Sequence, residues 1–284
     1  MPSQVPCAGC GYEIPQPAER CPHCGRPGIF WNVIAATDAS EEAALDRRYK
    51  TARSDAAQRG ADVKVQHFED TLKESKAIIA TSVTNLSRLA SSHRQLHATY
   101  YDLIGGPIKF PEGSEWDLLR VLADVLLFGE GKKHIRFAAL SLNDIGLTNY
   151  GPCALILKEH MISHRSSVFE ENCALFMERK GIRVQRQPKL PKGYKATWER
   201  RARLCVAKLA DRIDSGTTSD KYSEFLLKNG TTSAQDEFVE VHIWGPFTVF
   251  TLEKVKVIAQ SSSARATILK AIKFKLSKYG VPVS

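Results

Sequence analysis

Residues 237–246 read Glu237-Phe238-Val239-Glu240-Val241-His242-Ile243-Trp244-Gly245-Pro246. Successive side chains of a strand point to opposite sides, so Val239, Val241 and Ile243 share one face, and Phe238, Glu240, His242 and Trp244 the other. The aliphatic face is expected to enter a core. The second face is either solvated, with Glu240 paired to a lysine, or functional.

Outward from this strand the hydrophobic period changes repeatedly. An apolar run at 77–80 precedes helical patterns at 86–89 and 116–128, and strands follow at 135–142 and 153–157. The next strand falls at either 168–169 or 174–177, and a helix is predicted over 198–213. A strand over 248–257 follows the 238–244 strand, and a last helix carries Ile268, Ile272, Leu276 and Tyr279 on one stripe before Gly280. This order is neither regular βαβ nor all-β and predicts an α+β fold.

Upstream lies a helical arm. Asp38 is expected to cap it with Glu41 in the reciprocal position, Leu45, Tyr49, Ala52 and Ala56 form one stripe, and Gly60 ends it. The arm reads as a linker helix, giving a division into residues 1–30, a linker over 31–74 and an α+β domain over 75–284.

Residues 7–25 contain two C-x-x-C knuckles, Cys7/Cys10 and Cys21/Cys24, separated by ten residues and each followed closely by glycine. Four thiolates at this spacing suit a tetrahedral structural zinc ion, and this segment is expected to be a zinc ribbon. His23, inside the second knuckle, is not needed as a ligand. The three remaining cysteines, Cys153, Cys173 and Cys205, are scattered and are expected to be buried thiols rather than a disulfide framework.

With 284 residues, 43% hydrophobic and 25% charged, the chain has a globular rather than disordered composition. The opening MPSQVPCAGC lacks the charged and apolar regions of a secretory signal, and Asp117, Arg120 and Asp124 interrupt the longest apolar stretch. A cytoplasmic protein with no membrane partner is expected. The net charge of +9 favours anionic partners. Between Glu178 and Arg212 there are twelve Lys or Arg against three acids. With Tyr194 and Trp198 interleaved, Arg183, Arg186, Lys189, Lys192, Lys195, Arg200, Arg201 and Arg203 are the candidate nucleic-acid contacts; the alternative is a solvated loop and helix face.

No Walker loop, G-x-G-x-x-G fingerprint or G-x-S-x-G elbow is present, which argues against P-loop phosphoryl transfer and against serine hydrolysis on that elbow. His160 and His164 stand four apart without the glutamate of a zinc protease. Chemistry is denser in three places: the turn Gly146-Leu147-Thr148-Asn149-Tyr150-Gly151, the segment His164-Arg165-Ser166-Ser167, and the strand containing Glu240. A strand, "GL-x-x-YG" and a second strand, then an arginine and serine entering a new strand, then "E-V-x-I-x-G-P" together resemble the NAD-dependent ADP-ribosyltransferases, over roughly residues 75–284.

The resemblance implies an enzyme that moves ADP-ribose from NAD to a macromolecule. Glu240 would stabilise positive charge on the ribose next to nicotinamide, and Ser167 would orient it. Arg165 or Arg136 would hold the pyrophosphate, Tyr150 or Trp244 would stack on nicotinamide, and Asn172 would contact the cofactor or form a turn hydrogen bond. Phe238 stands two residues before Glu240, where many protein-modifying members have glutamine or glutamate, which leaves RNA or DNA more open as acceptor. The setting implied is a bacterial toxin or antiphage effector, with an inhibitory partner protein if it is a toxin. The alternative is a non-catalytic zinc-ribbon module that binds nucleic acid or acts as an adaptor.

Overall fold

The computed structural model describes residues 4–7, 10–15, 18, 20–25, 28, 30–98, 115–183, 189–258 and 263–284. Strands β1 (Gln4–Pro6) and β2 (Glu13–Pro15) form an antiparallel hairpin with Val5 opposite Ile14. Ile14, Cys7 and Cys21 are buried together as a separate small cluster.

The remaining architecture is a seven-stranded sheet with helices on both faces. Its strands are β3 (Lys76–Thr81), β4 (Ile135–Ser141), β5 (Cys153–Leu157), β6 (Ser166–Phe169), β7 (Lys195–Thr197), β10 (Glu240–Trp244) and β11 (Leu252–Val257), in the order β11-β5-β3-β4-β10-β6-β7. Every neighbouring pair is antiparallel. Two short strands, β8 (Leu227–Lys228) and β9 (Glu237–Phe238), pair separately. The mixed α+β expectation holds.

Within 238–244 the chain breaks at Val239, so Phe238 belongs to β9 and only Glu240–Trp244 joins the large sheet. Of the two alternatives near 170, residues 168–169 lie in β6 and residues 174–177 lie in the helix Cys173–Arg179.

One sheet face carries Val241 and Ile243 with Ile79, Leu140, Leu155, Val168 and Val255, covered by Leu45, Phe68, Leu204 and Leu276 from four helices. The other carries Trp244 and Phe169 under Leu119, Ala123 and Phe128 of the helix Glu115–Phe128, with Phe30. A strand between two covered faces loses solvent on both sides. All five β10 residues are buried, Glu240 and His242 at 2% exposure each, which removes the reading of Glu240 as a solvated strand residue.

The 31–74 segment is no linker. Its helices Ala39–Gln58 and Asp62–Thr71 contribute Leu45, Ala56, Val65 and Phe68 to the core on one sheet face, and Trp31 and Val33 of the helix Trp31–Ala36 pack against the cluster on the other. Asp38 caps the second helix by accepting from the Ser40 and Glu41 amides at 3.0 and 3.2 Å. Glu41 does not close the capping box; its buried carboxylate accepts from the Gly193 amide at 2.7 Å and pairs with Lys195 at 3.3 Å. Gly193 has φ of +86°, and a Cβ there would stand 2.7 Å from the Ala44 carbonyl carbon, so the loop approaches the helix as closely as backbone allows. A hydrogen bond to a buried charged acceptor contributes about 2 kcal/mol. Glu41→Ala, which removes this acceptor, is therefore expected to lower the free energy of chemical unfolding by about that amount; a detached linker would show no change.

Candidate functional site

The strand order sets β10 between β4 and β6, with Glu240 opposite Ala139 on one side and Phe169 on the other. Phe169 leads within four residues to Cys173, the first residue of the helix Cys173–Arg179, whose amide donates to Glu240 Oε2 at 3.1 Å. His242 Nε2, two residues along the strand on the same face, donates to that oxygen at 3.1 Å. Oε1 faces Arg120 Nη1 at 3.6 Å. Arg120 lies over the Phe137 ring at 3.9 Å, is 3.5 Å from Asp124 one turn on, and has a buried Nε without a hydrogen-bond partner among the described residues.

Burial works to raise the Glu240 pKa. The Arg120 charge and the hydrogen bonds from His242 and Cys173 outweigh it, and the carboxyl is held below its ordinary value. The centre thus contains a fixed carboxylate in an interior where charge interactions are weakly screened. Burial pushes the Cys173 thiol far above its usual range, so the thiol stays neutral.

Tyr150 stands beside this group. The residue as a whole is 44% exposed, yet burial of its hydroxyl raises that pKa to about 12, with Arg120 opposing and Glu240 adding to the rise. The turn is fixed by Gly151, whose φ is +144° and whose Cβ would fall 2.3 Å from the Thr81 backbone. Asn149 donates to Asp236 Oδ1 at 2.8 Å. Asp236 in turn walls a cleft of about 860 Å³, with Glu170, Arg179, Lys208, Arg212 and Glu237 among its lining. Asp236 Oδ2 is buried with no hydrogen-bond partner among the described residues.

The other expected cofactor contacts have different surroundings. Arg165 is buried and donates to the carbonyls of Met161, Trp244 and Pro246 at 3.1, 2.7 and 2.9 Å. Arg136 donates to the His134 and His97 carbonyls at 3.0 and 3.3 Å. Trp244 is a core side chain at 1% exposure, with Gly131 against its ring. Asn172 caps its helix by accepting from the Ala174 and Leu175 amides. Ser167 Oγ accepts from Asn32 Nδ2 at 3.3 Å, while Glu240 takes its bonds from Cys173 and His242. Asn32 also donates to the Arg165 and His242 carbonyls, so the arm braces the site from below.

Arg120, Asp124, Cys173, His242 and Asn32 were not among the expected site residues. The available signal was the pair Arg120 and Asp124, one helical turn apart within an apolar stretch; charges so placed seek a buried partner.

The basic stretch is largely answered from within the chain. Lys192 pairs with Asp38 at 3.5 Å, Lys195 with Glu41, Arg200 with Glu42 at 2.8 Å, and Arg203 with Asp46 at 2.8 Å. Arg201 is buried, bound to Ser75 Oγ at 3.1 Å and to the Trp198 carbonyl at 3.0 Å. Arg183 and Lys189 are exposed, and Arg186 lies outside the described residues. Part of the local surplus of positive charge is thus balanced by acids of the helical arm, while Arg183 and Lys189 remain exposed.

The four sulfurs of Cys7, Cys10, Cys21 and Cys24 lie within 4.8 Å of one another, Cys7 to Cys24 at 3.5 Å and Cys10 to Cys21 at 3.6 Å. Tetrahedral zinc with bonds of about 2.3 Å places its sulfurs about 3.8 Å apart, so this group could hold a metal ion. Among the described residues no other group of three or more His, Cys, Asp or Glu converges in this way, His160 and His164 included. Cys153, Cys173 and Cys205 are free and buried. Among the described residues no helix is long and apolar enough to cross a membrane. No protein-family model matches the sequence, and no curated protein is significantly similar to it.

Proposed function

We propose that this chain transfers ADP-ribose from NAD to a macromolecular acceptor, RNA or DNA before protein, at a centre built on Glu240. One observation carries the reading: a carboxylate held ionised at 2% exposure beside the Tyr150 turn. When the bond from ribose C1′ to the nicotinamide nitrogen breaks, its electron pair leaves with nicotinamide and positive charge builds on the ribosyl group. A fixed anion stabilises that charge without having to reorganise. A nucleophile of the acceptor then bonds to C1′ and gives up its proton.

The cleft of about 860 Å³ at Asp236 has the size of a cofactor site; Glu240, Arg120 and Tyr150 are not in its lining, and the Asn149–Asp236 hydrogen bond joins it to the Tyr150 turn. Asp236 Oδ2 would accept from a ligand hydroxyl. Arg120, rather than the carbonyl-bound Arg165, is the guanidinium nearest the carboxylate and would face an anionic group. The four-cysteine cluster is read as a structural zinc site.

The test is incubation of the full chain with labelled NAD and separate pools of RNA, DNA and protein. Label in one pool supports transfer and identifies the acceptor. NAD left intact in every pool would favour the alternative of a binding module, in which the Glu240 network only locks the helix Glu115–Phe128 to the sheet.

A further inference from the structure

With much of the 178–212 stretch paired internally, a second concentration of positive charge stands out near residues 258–284. Residues 258–284 contain five Lys or Arg and no Asp or Glu. The helix Ser263–Ser277 buries Ile272 and Leu276 in the main core, which turns Lys270, Lys273 and Phe274 outward. Lys275 and Lys278 are exposed as well, and Phe274 is 65% exposed. None of these four lysines makes an ion pair or a hydrogen bond among the described residues; Lys278 instead lies 4.6 Å from the centre of the Phe274 ring. The row from Lys270 to Lys278 runs about 12 Å along the helix.

Beyond its end lies a second group of rings. Phe250, 45% exposed, meets Tyr279 at 5.8 Å, and His93 lies 6.2 Å from Phe250 and 6.4 Å from Tyr279. Unpaired lysines track a chain of phosphates, and exposed rings beside them offer faces on which unstacked bases rest. A duplex would hide those base faces.

We infer that the outer face of the helix Ser263–Ser277, with Lys270, Lys273, Lys275 and Lys278 around Phe274, is the surface by which this chain holds single-stranded nucleic acid. It packs on the sheet face opposite Glu240, so it holds a strand without presenting a base to the carboxylate. Binding here does not depend on the transfer reaction, and the two ideas fail separately.

The experiment is fluorescence anisotropy of a labelled mixed-sequence oligonucleotide with the full chain across a salt series. Replacing the four lysines together by glutamine is expected to weaken binding tenfold or more and to make the slope of log K against log salt shallower by about 3, near 0.7 for each lost phosphate contact. Phe274→Ala is expected to weaken binding about tenfold with the salt slope unchanged. A control set, Lys192→Gln with Arg200→Gln and Arg203→Gln, is expected to leave affinity and slope as in the wild type. Wild-type affinity in the four-lysine variant would overturn the proposal. So would a wild-type chain that ignores the oligonucleotide at low salt, including one that sediments with phosphatidylserine vesicles instead.

Discussion

Glu240→Gln is expected to cut NAD-dependent transfer by about 10² to 10³-fold, the usual effect of removing one preorganised electrostatic contact to a transition-state charge. Glutamine keeps the length of the side chain and can still accept from the Cys173 amide, so the loss falls on the charge. The same change leaves Arg120 with Asp124 as its ionic partner in the interior. Breaking a buried pair from one side costs about 3 to 5 kcal/mol, and the variant should unfold correspondingly more easily. Adding Arg120→Met removes the guanidinium that faces Glu240 and leaves the buried Asp124 carboxylate, so the double variant should recover part of the stability and none of the transfer. Full transfer by folded Glu240→Gln would remove Glu240 from the mechanism, and restored transfer in the double variant would reduce it to a scaffold residue.

The same pair sets a pH dependence. The folded-state pKa of Glu240 lies below the ordinary value of 4.5, so ionised Glu240 stabilises the fold at pH values above 4.5. That contribution is lost as pH falls from 4.5 through the folded value. Denaturant unfolding at a series of pH values should show the loss in the wild type, and less of it in the double variant.

Zinc removal is expected to have the largest local effect. Among the described residues of the 4–25 segment, Ile14 is buried with Cys7 and Cys21, an apolar cluster too small to hold a hairpin in water. Binding to four thiolates supplies about 10 to 16 kcal/mol of folding free energy in small zinc modules. Protein purified without chelator should carry about one zinc per chain by elemental analysis. Stripping the metal, or Cys21→Ser, should open this segment to protease while the sheet and its helices keep their unfolding transition. A metal-free chain that protects residues 4–25 as well as the loaded form would refute the zinc assignment.

Some of this protein is local, and its sequence determined it alone. The two C-x-x-C knuckles placed four sulfurs together because their spacing limits the reach of the chain. Cys153–Leu157 became a strand with the predicted bounds because a five-residue apolar run enclosed by turn residues has little alternative. The Asp38 cap followed from a side chain bonding amides two and three residues ahead.

Contacts between distant residues were decided only by tertiary structure. Alternation assigned Glu240 a face but not a covering; Arg120 meets it because the helix Glu115–Phe128 lies across β10. The surplus of charge between 178 and 212 was real in the sequence, and acids roughly 150 residues earlier answer part of it where the second helix of the arm packs alongside. A charge count follows the chain, whereas Coulomb interaction follows distance in space. Burial of both sheet faces, which turned a strand edge of polar residues into an enclosed centre, is a property of the layers and of no single segment.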